Sequence, residues 1–218
     1  MLTFAEEIML LLLDDEDGVF VPIAESTVEC ALAGAVLMDL AFANRIDTDL
    51  TRLMVVDRTS MGDPLLDGVL ARLDTATETV DAKTWVERLS RDNAATIREA
   101  ALANLVARGI LERHDEKFLW VHRGRRYPMI DGQAEREVRL RIIDVLLSDD
   151  IPDPRDVALI CLADACNILS DVLPEGTAEQ ARPRIALIRK MDLIGREVAS
   201  AVTDIERSIV LAVARAPH

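Results

Sequence analysis

The chain has 218 residues and a net charge of −14, so it can bury a full core but cannot hold polyanions by overall charge. Half of its residues are apolar, which excludes general disorder. No apolar run reaches the roughly 18 residues of a membrane span, and the run Ile8 to Leu13 follows Glu6 and Glu7 rather than the basic region of a secretory signal.

In chain order, Thr3 and Glu6 form a capping box that opens a buried first helix, broken by 14–18. Ser26 and Glu29 form a second box that opens a helix to about Phe42, with Asn44 as terminator. Leu53 to Val56 reads as a short edge or hairpin strand. Asp63 is an N-cap and Pro64 a first helical residue, leading a helix to about Leu73. Two helices follow, about 82–90 with Trp85 and 93–108 with Ile97, Ala101, Leu102, Leu105 and Val106 on one face, the second stopped by Gly109. Ile110 to Arg113, a turn at Asp115 and Glu116, and Phe118 to His122 read as a β-hairpin. An arginine-rich amphipathic helix covers 133–147, a central helix starts at Asp153-Pro154, and two more helices lie within 177–214 with Pro183 early and Gly195 between them. With no repeat and no low-complexity linker, the pattern predicts one mainly α domain over 1–218, bundle-like, with a small hairpin. Cys30, Cys161 and Cys166 fit neither a disulfide framework nor a zinc pattern and read as buried thiols of a reducing cytoplasm.

Charge is unevenly distributed. Residues 1–81 carry 17 acids against 4 bases, 82–147 carry 10 against 13, and 148–218 carry 12 against 8. Inside the one basic third lies KFLWVHRGRR, residues 117–126, which sets Phe118, Leu119 and Trp120 beside Arg123, Arg125 and Arg126. A large apolar group next to clustered guanidinium suits an anionic interface, whether lipid headgroups or nucleic-acid phosphates. The plainer alternative is a buried hairpin with a solvated basic flank.

Catalysis finds little support. His114, His122 and His218 share no metal-ligand spacing, there is no nucleophile elbow and no phosphate-cradling glycine loop, and no cofactor is expected. The order helix, Gly109, strand, acidic turn, strand imitates a winged helix, in which 93–108 would be the reading helix. That helix offers Thr96, Arg98 and Arg108 but also Glu99, which with the charge of −14 opposes phosphate, so no nucleic-acid partner is expected.

The strings LTFAEEIMLLLLDD (2–15), ALAGAVLMDLA (31–41), GDPLLD (62–67) and LVARGIL (105–111), then RYP (126–128) and the helix from Asp156 to Leu173, occur in the order and spacing of one family. The chain resembles the Golgi phosphoprotein 3 family from Leu2 to about Val213, in the short, acidic form of a bacterial-type member. The resemblance implies a helical-bundle core with a protruding hydrophobic hairpin and no enzymatic activity. Eukaryotic relatives are peripheral membrane proteins that bind phosphatidylinositol 4-phosphate and tether glycosyltransferases as adaptors. Of four headgroup-binding positions, a Trp and an Arg fall near Ala24 and at Ala33 and a further Arg at Ala95, so only Arg98 matches. Phe118, Leu119 and Trp120 occupy the region that the family uses for membrane insertion or self-association. The resulting expectation is a noncatalytic cytoplasmic protein, peripheral at a membrane face. Arg98, Arg123, Arg125 and Arg126 meet anionic phospholipid, Phe118, Leu119 and Trp120 enter the interface, and a client protein is a possible partner. The alternative is an interaction scaffold, in which the hairpin makes a homo-oligomer and lipid plays no part.

Overall fold

The computed structural model of the protein describes residues 1–13, 18–49, 52–78, 80–114, 126–130, 132–174, 176–188, 208–211 and 213–214. At the start, the Thr3 hydroxyl accepts the Glu6 N–H at 3.2 Å and the Glu6 carboxylate accepts the Thr3 N–H at 2.9 Å. This capping box begins α1 (Phe4–Leu11), all of whose residues are buried. After a bridge between Leu13 and Phe20, α2 (Glu25–Phe42) runs with nearly every residue from Cys30 to Ala41 buried. A helix apolar on all sides belongs at the centre, and α1, α3, α4 and α6 all pack on α2. Its start differs from the expected capping box. The N-cap is Ala24 without a side-chain bond, and Ser26 lies inside the helix, because the Glu25 backbone is already helical there. Asn44 ends the helix with φ +53°, in the left-handed conformation that asparagine tolerates.

The expected strand has a partner that the sequence reading missed. β1 (Ile46–Asp49) and β2 (Arg52–Val55) pair antiparallel in the register Ile46 with Val55 and Asp49 with Arg52. Next, Asp63 Oδ1 accepts the N–H groups of Leu65 and Leu66 at 2.8 and 3.1 Å, and Pro64 opens α3 (Pro64–Asp74). The other Asp63 oxygen accepts the Asn104 amide at 3.3 Å, which ties this cap to α4.

α4 (Ala82–Ala107) is one helix of 26 residues, where two were expected. Asp92 and Asn93 do not break it. Leu89, Ala94 and Ile97 keep the buried face continuous across them, and Arg72 of α3 bonds both polar side chains from outside. Tertiary packing thus overrides the weak helix preference of Asp and Asn.

α5 (Gln133–Leu147), α6 (Pro154–Ala165), α7 (Ile168–Val172) and α8 (Thr177–Ile188) complete the named elements. Asp153 caps α6 through the Arg155 N–H at 2.8 Å, and Val157 to Leu162 are all buried, as a central apolar run requires. Pro183 lies within α8, while the expected second helix of 177–214 falls largely outside the described residues. Gly34 of α2 leaves room for Ile209 of the short final turn 208–211; an added Cβ would also stand 3.1 Å from Leu162 Cδ1. The three cysteines are buried, as expected, and none is in a disulfide among the described residues; burial raises the Cys30 and Cys166 thiols above their ordinary range. The architecture is mainly α with one small two-stranded sheet among the described residues.

Candidate functional site

The base of the hairpin is built where α4 stops. Gly109 takes φ +70°, reversing the chain after Arg108, and the Ile110 N–H closes the end on Leu105 O at 3.0 Å. The chain then forms one arm, 110–114, against a second, 126–130. Leu111 bridges Met129 and His114 bridges Arg126, with His114 and Arg126 exchanging both backbone bonds at 3.0 and 3.2 Å. Glu112 N–H donates to Pro128 O at 2.9 Å, and Ile130 N–H donates to Ile110 O at 3.1 Å.

This pairing differs from the expected hairpin. Among the described residues the partner of 111–114 is 126–129; the expected turn at Asp115 and Glu116 and the expected second strand, Phe118 to His122, lie outside the described residues. Tyr127 and Met129 supply apolar positions of the arm that pairs with 111–114. Phe118, Leu119, Trp120, Arg123 and Arg125 lie outside the described residues.

The second arm is fixed from its other edge. Tyr127 N–H donates to Gly18 O at 2.9 Å, and the Phe20 and Tyr127 rings stand 6.3 Å apart. Gly18 has φ +62°, and its Cα lies so close to the arm that a Cβ would come within 2.6 Å of Pro128 Cα. Beside the arms, a groove of about 580 Å³ is lined by Ala100, Ala103, Val106 and Ala107 of α4 with Arg113 and Tyr127.

The two described arginines of the expected site stand on different elements. Arg126 is half-buried at the foot of the second arm. Arg98 lies on α4 and forms a 2.8 Å ion pair with Glu25, the first residue of α2. Ala24 is next to that pair and Ala95 is one turn before Arg98 on α4, both exposed, whereas Ala33 is fully buried in α2. The positions that the resemblance aligns with headgroup contacts therefore retain one guanidinium, and a carboxylate already engages it. With Glu25 67% exposed, such a pair contributes little to stability and yields readily to a competing anion.

Sequence reasoning missed a buried charge network under the α1 N-terminus. Glu7 is 2% exposed and is held by Arg141 of α5 and, at 3.1 Å, by Arg155 of α6. Arg155 also reaches Asp39 of α2 at 3.5 Å, donates to Leu2 O at 2.7 Å and stacks 3.9 Å over the Phe4 ring. Asp39 in turn accepts the Phe4 N–H at 2.9 Å, and Arg141 reaches Asp156 as well. Burial pushes Asp39 up to about 7 against the pull of Arg155, the Phe4 N–H opposing it and Glu7 reinforcing it. Burial also raises Asp156. The signal was present in the sequence as Glu6-Glu7 inside an otherwise apolar buried helix, which requires partners. Among the described residues, no group of His, Cys, Asp and Glu could hold a metal ion, and no helix is long and apolar enough to cross a membrane.

Comparison with known proteins fits this arrangement. The family model described as Golgi phosphoprotein 3 (GPP34) matches residues 4–205. The chain is similar to the vacuolar protein sorting-associated protein 74 of Eremothecium gossypii, 27% identical over 206 residues, which cover 79% of this chain and 61% of the relative. The chain thus spans about three fifths of the length of that relative. With the match running from the first residue of α1 to well past α8, the chain belongs to the Golgi phosphoprotein 3 family.

Proposed function

We propose that the protein is a noncatalytic adaptor that docks peripherally on an anionic membrane face, in the cytoplasm, and presents a client protein there. The observation that carries this reading is the anchored base of the hairpin. His114 and Arg126 are held opposite each other and Gly18 clamps the second arm. The sequence leaving and returning at that point contains Phe118, Leu119, Trp120, Arg123 and Arg125. Trp and Arg together suit the headgroup boundary, where the indole and the guanidinium each find a partner. Arg123, Arg125 and Arg126 supply the charge, and Arg98 joins them if an anion displaces Glu25.

Each basic residue near an anionic surface is worth about 1 kcal/mol, so this contact is weak and salt-sensitive unless the aromatic residues insert. With one of four family positions retained, charge rather than recognition of phosphatidylinositol 4-phosphate governs the contact. The test is sedimentation with vesicles that are neutral, rich in phosphatidylglycerol or cardiolipin, or doped with phosphatidylinositol 4-phosphate. Binding is expected to all the anionic vesicles, to fall roughly tenfold or more in Arg125→Ala/Arg126→Ala, and to weaken at about 0.5 M salt. Absence of binding to every anionic vesicle, or binding indifferent to salt, would refute this reading.

A further inference from the structure

The last described rung of the hairpin ladder, just before the basic and aromatic segment, carries a titratable side chain. His114 is the one histidine among the described residues. It exchanges both backbone hydrogen bonds with Arg126, so the two stand directly opposite and their side chains share one face of the ladder. Glu112, two residues back on the same arm, lies on that face as well. Its Oε2 is 3.3 Å from His114 Nε2, and the two side chains are 66% and 54% exposed.

Alternation sends the other residues of the arms to the opposite face. There Leu111 is buried, and Arg113 and Tyr127 line the groove to which α4 contributes Glu99. Among the described residues, the charged groups on the His114 face are therefore Glu112 from its own arm and Arg126 from the second. With a neutral imidazole these two cancel. With an imidazolium the face gains a full positive charge, and Nε2–H donates to Glu112, which steadies the ring beside the Arg126 guanidinium. Residues 112–126 as a whole carry five bases against three acids with histidine neutral, so each proton taken up is a large part of a net charge of only +2.

We infer that His114 is a pH sensor for membrane docking, strengthening the hold of the hairpin base on anionic headgroups as the surroundings acidify. This regulation presupposes the docking proposed above. Histidine changes its charge between about pH 5 and 8, and one further cation near an anionic surface is worth about fivefold in affinity. The backbone bonds to Arg126 fix where that cation is delivered, next to an arginine of the docking site rather than at a distance from it.

Sedimentation with vesicles rich in phosphatidylglycerol, at about pH 5.5 and 7.5, reads the effect. A phosphodiester headgroup keeps its charge across this range, unlike a phosphomonoester, whose second ionisation lies at about pH 6. The wild type is expected to bind at least about fivefold more tightly at the lower pH, and His114→Gln to lose about fivefold of that gain. His114→Lys is expected to bind about fivefold more tightly than the wild type at the higher pH. Asp39 changes charge in the same range, but it does so in all three proteins, so the ratio between them isolates His114. Circular dichroism confirms folding, which substitution at this exposed position leaves intact. No binding of the wild type at either pH would sink the docking reading and the sensor together. Binding with no pH dependence, or with a dependence that His114→Gln retains in full, would overturn the sensor alone. So would a dependence that His122→Gln abolishes and His114→Gln keeps.

Discussion

Gly18 shows how one residue sets the placement of the candidate site. Its carbonyl accepts the Tyr127 N–H and its backbone lies against Tyr127 and Pro128, so the arm that carries Arg126 is held on the body at this contact. Two requirements coincide there: a φ of +62° and the absence of a side chain, since a Cβ would press on Pro128 N and come within 2.6 Å of Tyr127 C. Left-handed backbone alone costs an L-residue about 1–2 kcal/mol, and the clash is with backbone that has no rotamer to give. Gly18→Ala is therefore expected to lower unfolding stability by roughly 2–4 kcal/mol in urea titration. It is also expected to weaken vesicle binding, because the arm must shift. An alanine variant as stable as the wild type would show that Gly18 does not clamp the arm.

At the scale of elements, the hub is Arg155 at the start of α6, which joins α1, α2 and α6 through Glu7, Leu2 O, Phe4 and Asp39. Burying two carboxylates costs several kcal/mol each unless a cation shares the space, and removing the cation alone leaves that cost uncompensated. Arg155→Met keeps the length of the side chain and discards the charge. It is expected to lose about 3–5 kcal/mol, measured by chemical denaturation. Replacing Glu7, Asp39 and Arg155 together by apolar residues of similar volume is expected to lose far less. Such interlocking was not legible beforehand, because the partners of Arg155 lie 116 to 153 positions away and sequence pattern reads only neighbours. Local grammar was legible where it was self-contained, as in the Thr3–Glu6 box and the Asp63-Pro64 and Asp153-Pro154 starts. It misled where a distant element decided the outcome. Arg72 reaching across from α3 carries α4 through Asp92 and Asn93, and 111–114 finds a partner in 126–129, which the local pattern did not signal. The same limit applied to the site: the basic, aromatic segment was visible as composition, while the Glu25 carboxylate paired with Arg98 depends on how α2 meets α4.

For the molecule as a whole, the excess of acid within and without points to one pH dependence. The cluster around Arg155 and Arg141 holds three carboxylates, Glu7, Asp39 and Asp156, against two guanidinium groups. One acid is in surplus, and burial places the proton on Asp39, whose value rises from 3.8 to about 7. A carboxylate raised in the folded state binds its proton more tightly there than in the unfolded chain. Its contribution is fully present below pH 3.8 and is lost as pH rises through about 7. Asp156 is raised too and acts in the same direction. Self-repulsion of a chain at −14 adds to the loss as the remaining acids ionise. Asp57, Asp67, Asp74 and Asp81, outside the core, are held below 3.8 mainly by hydrogen bonds, so they favour the folded state above that value and withdraw support only in stronger acid. The two trends leave a stability maximum near pH 4, with a decline of about 2–4 kcal/mol from there towards pH 8. Urea midpoints taken from pH 4.5 to 8.5 test this. Asp39→Asn, which keeps the acceptor for the Phe4 N–H without a titrating proton, is expected to flatten most of that decline. A decline of unchanged slope in the variant would move its origin from Asp39 to the general charge of the molecule, where added salt should then remove it.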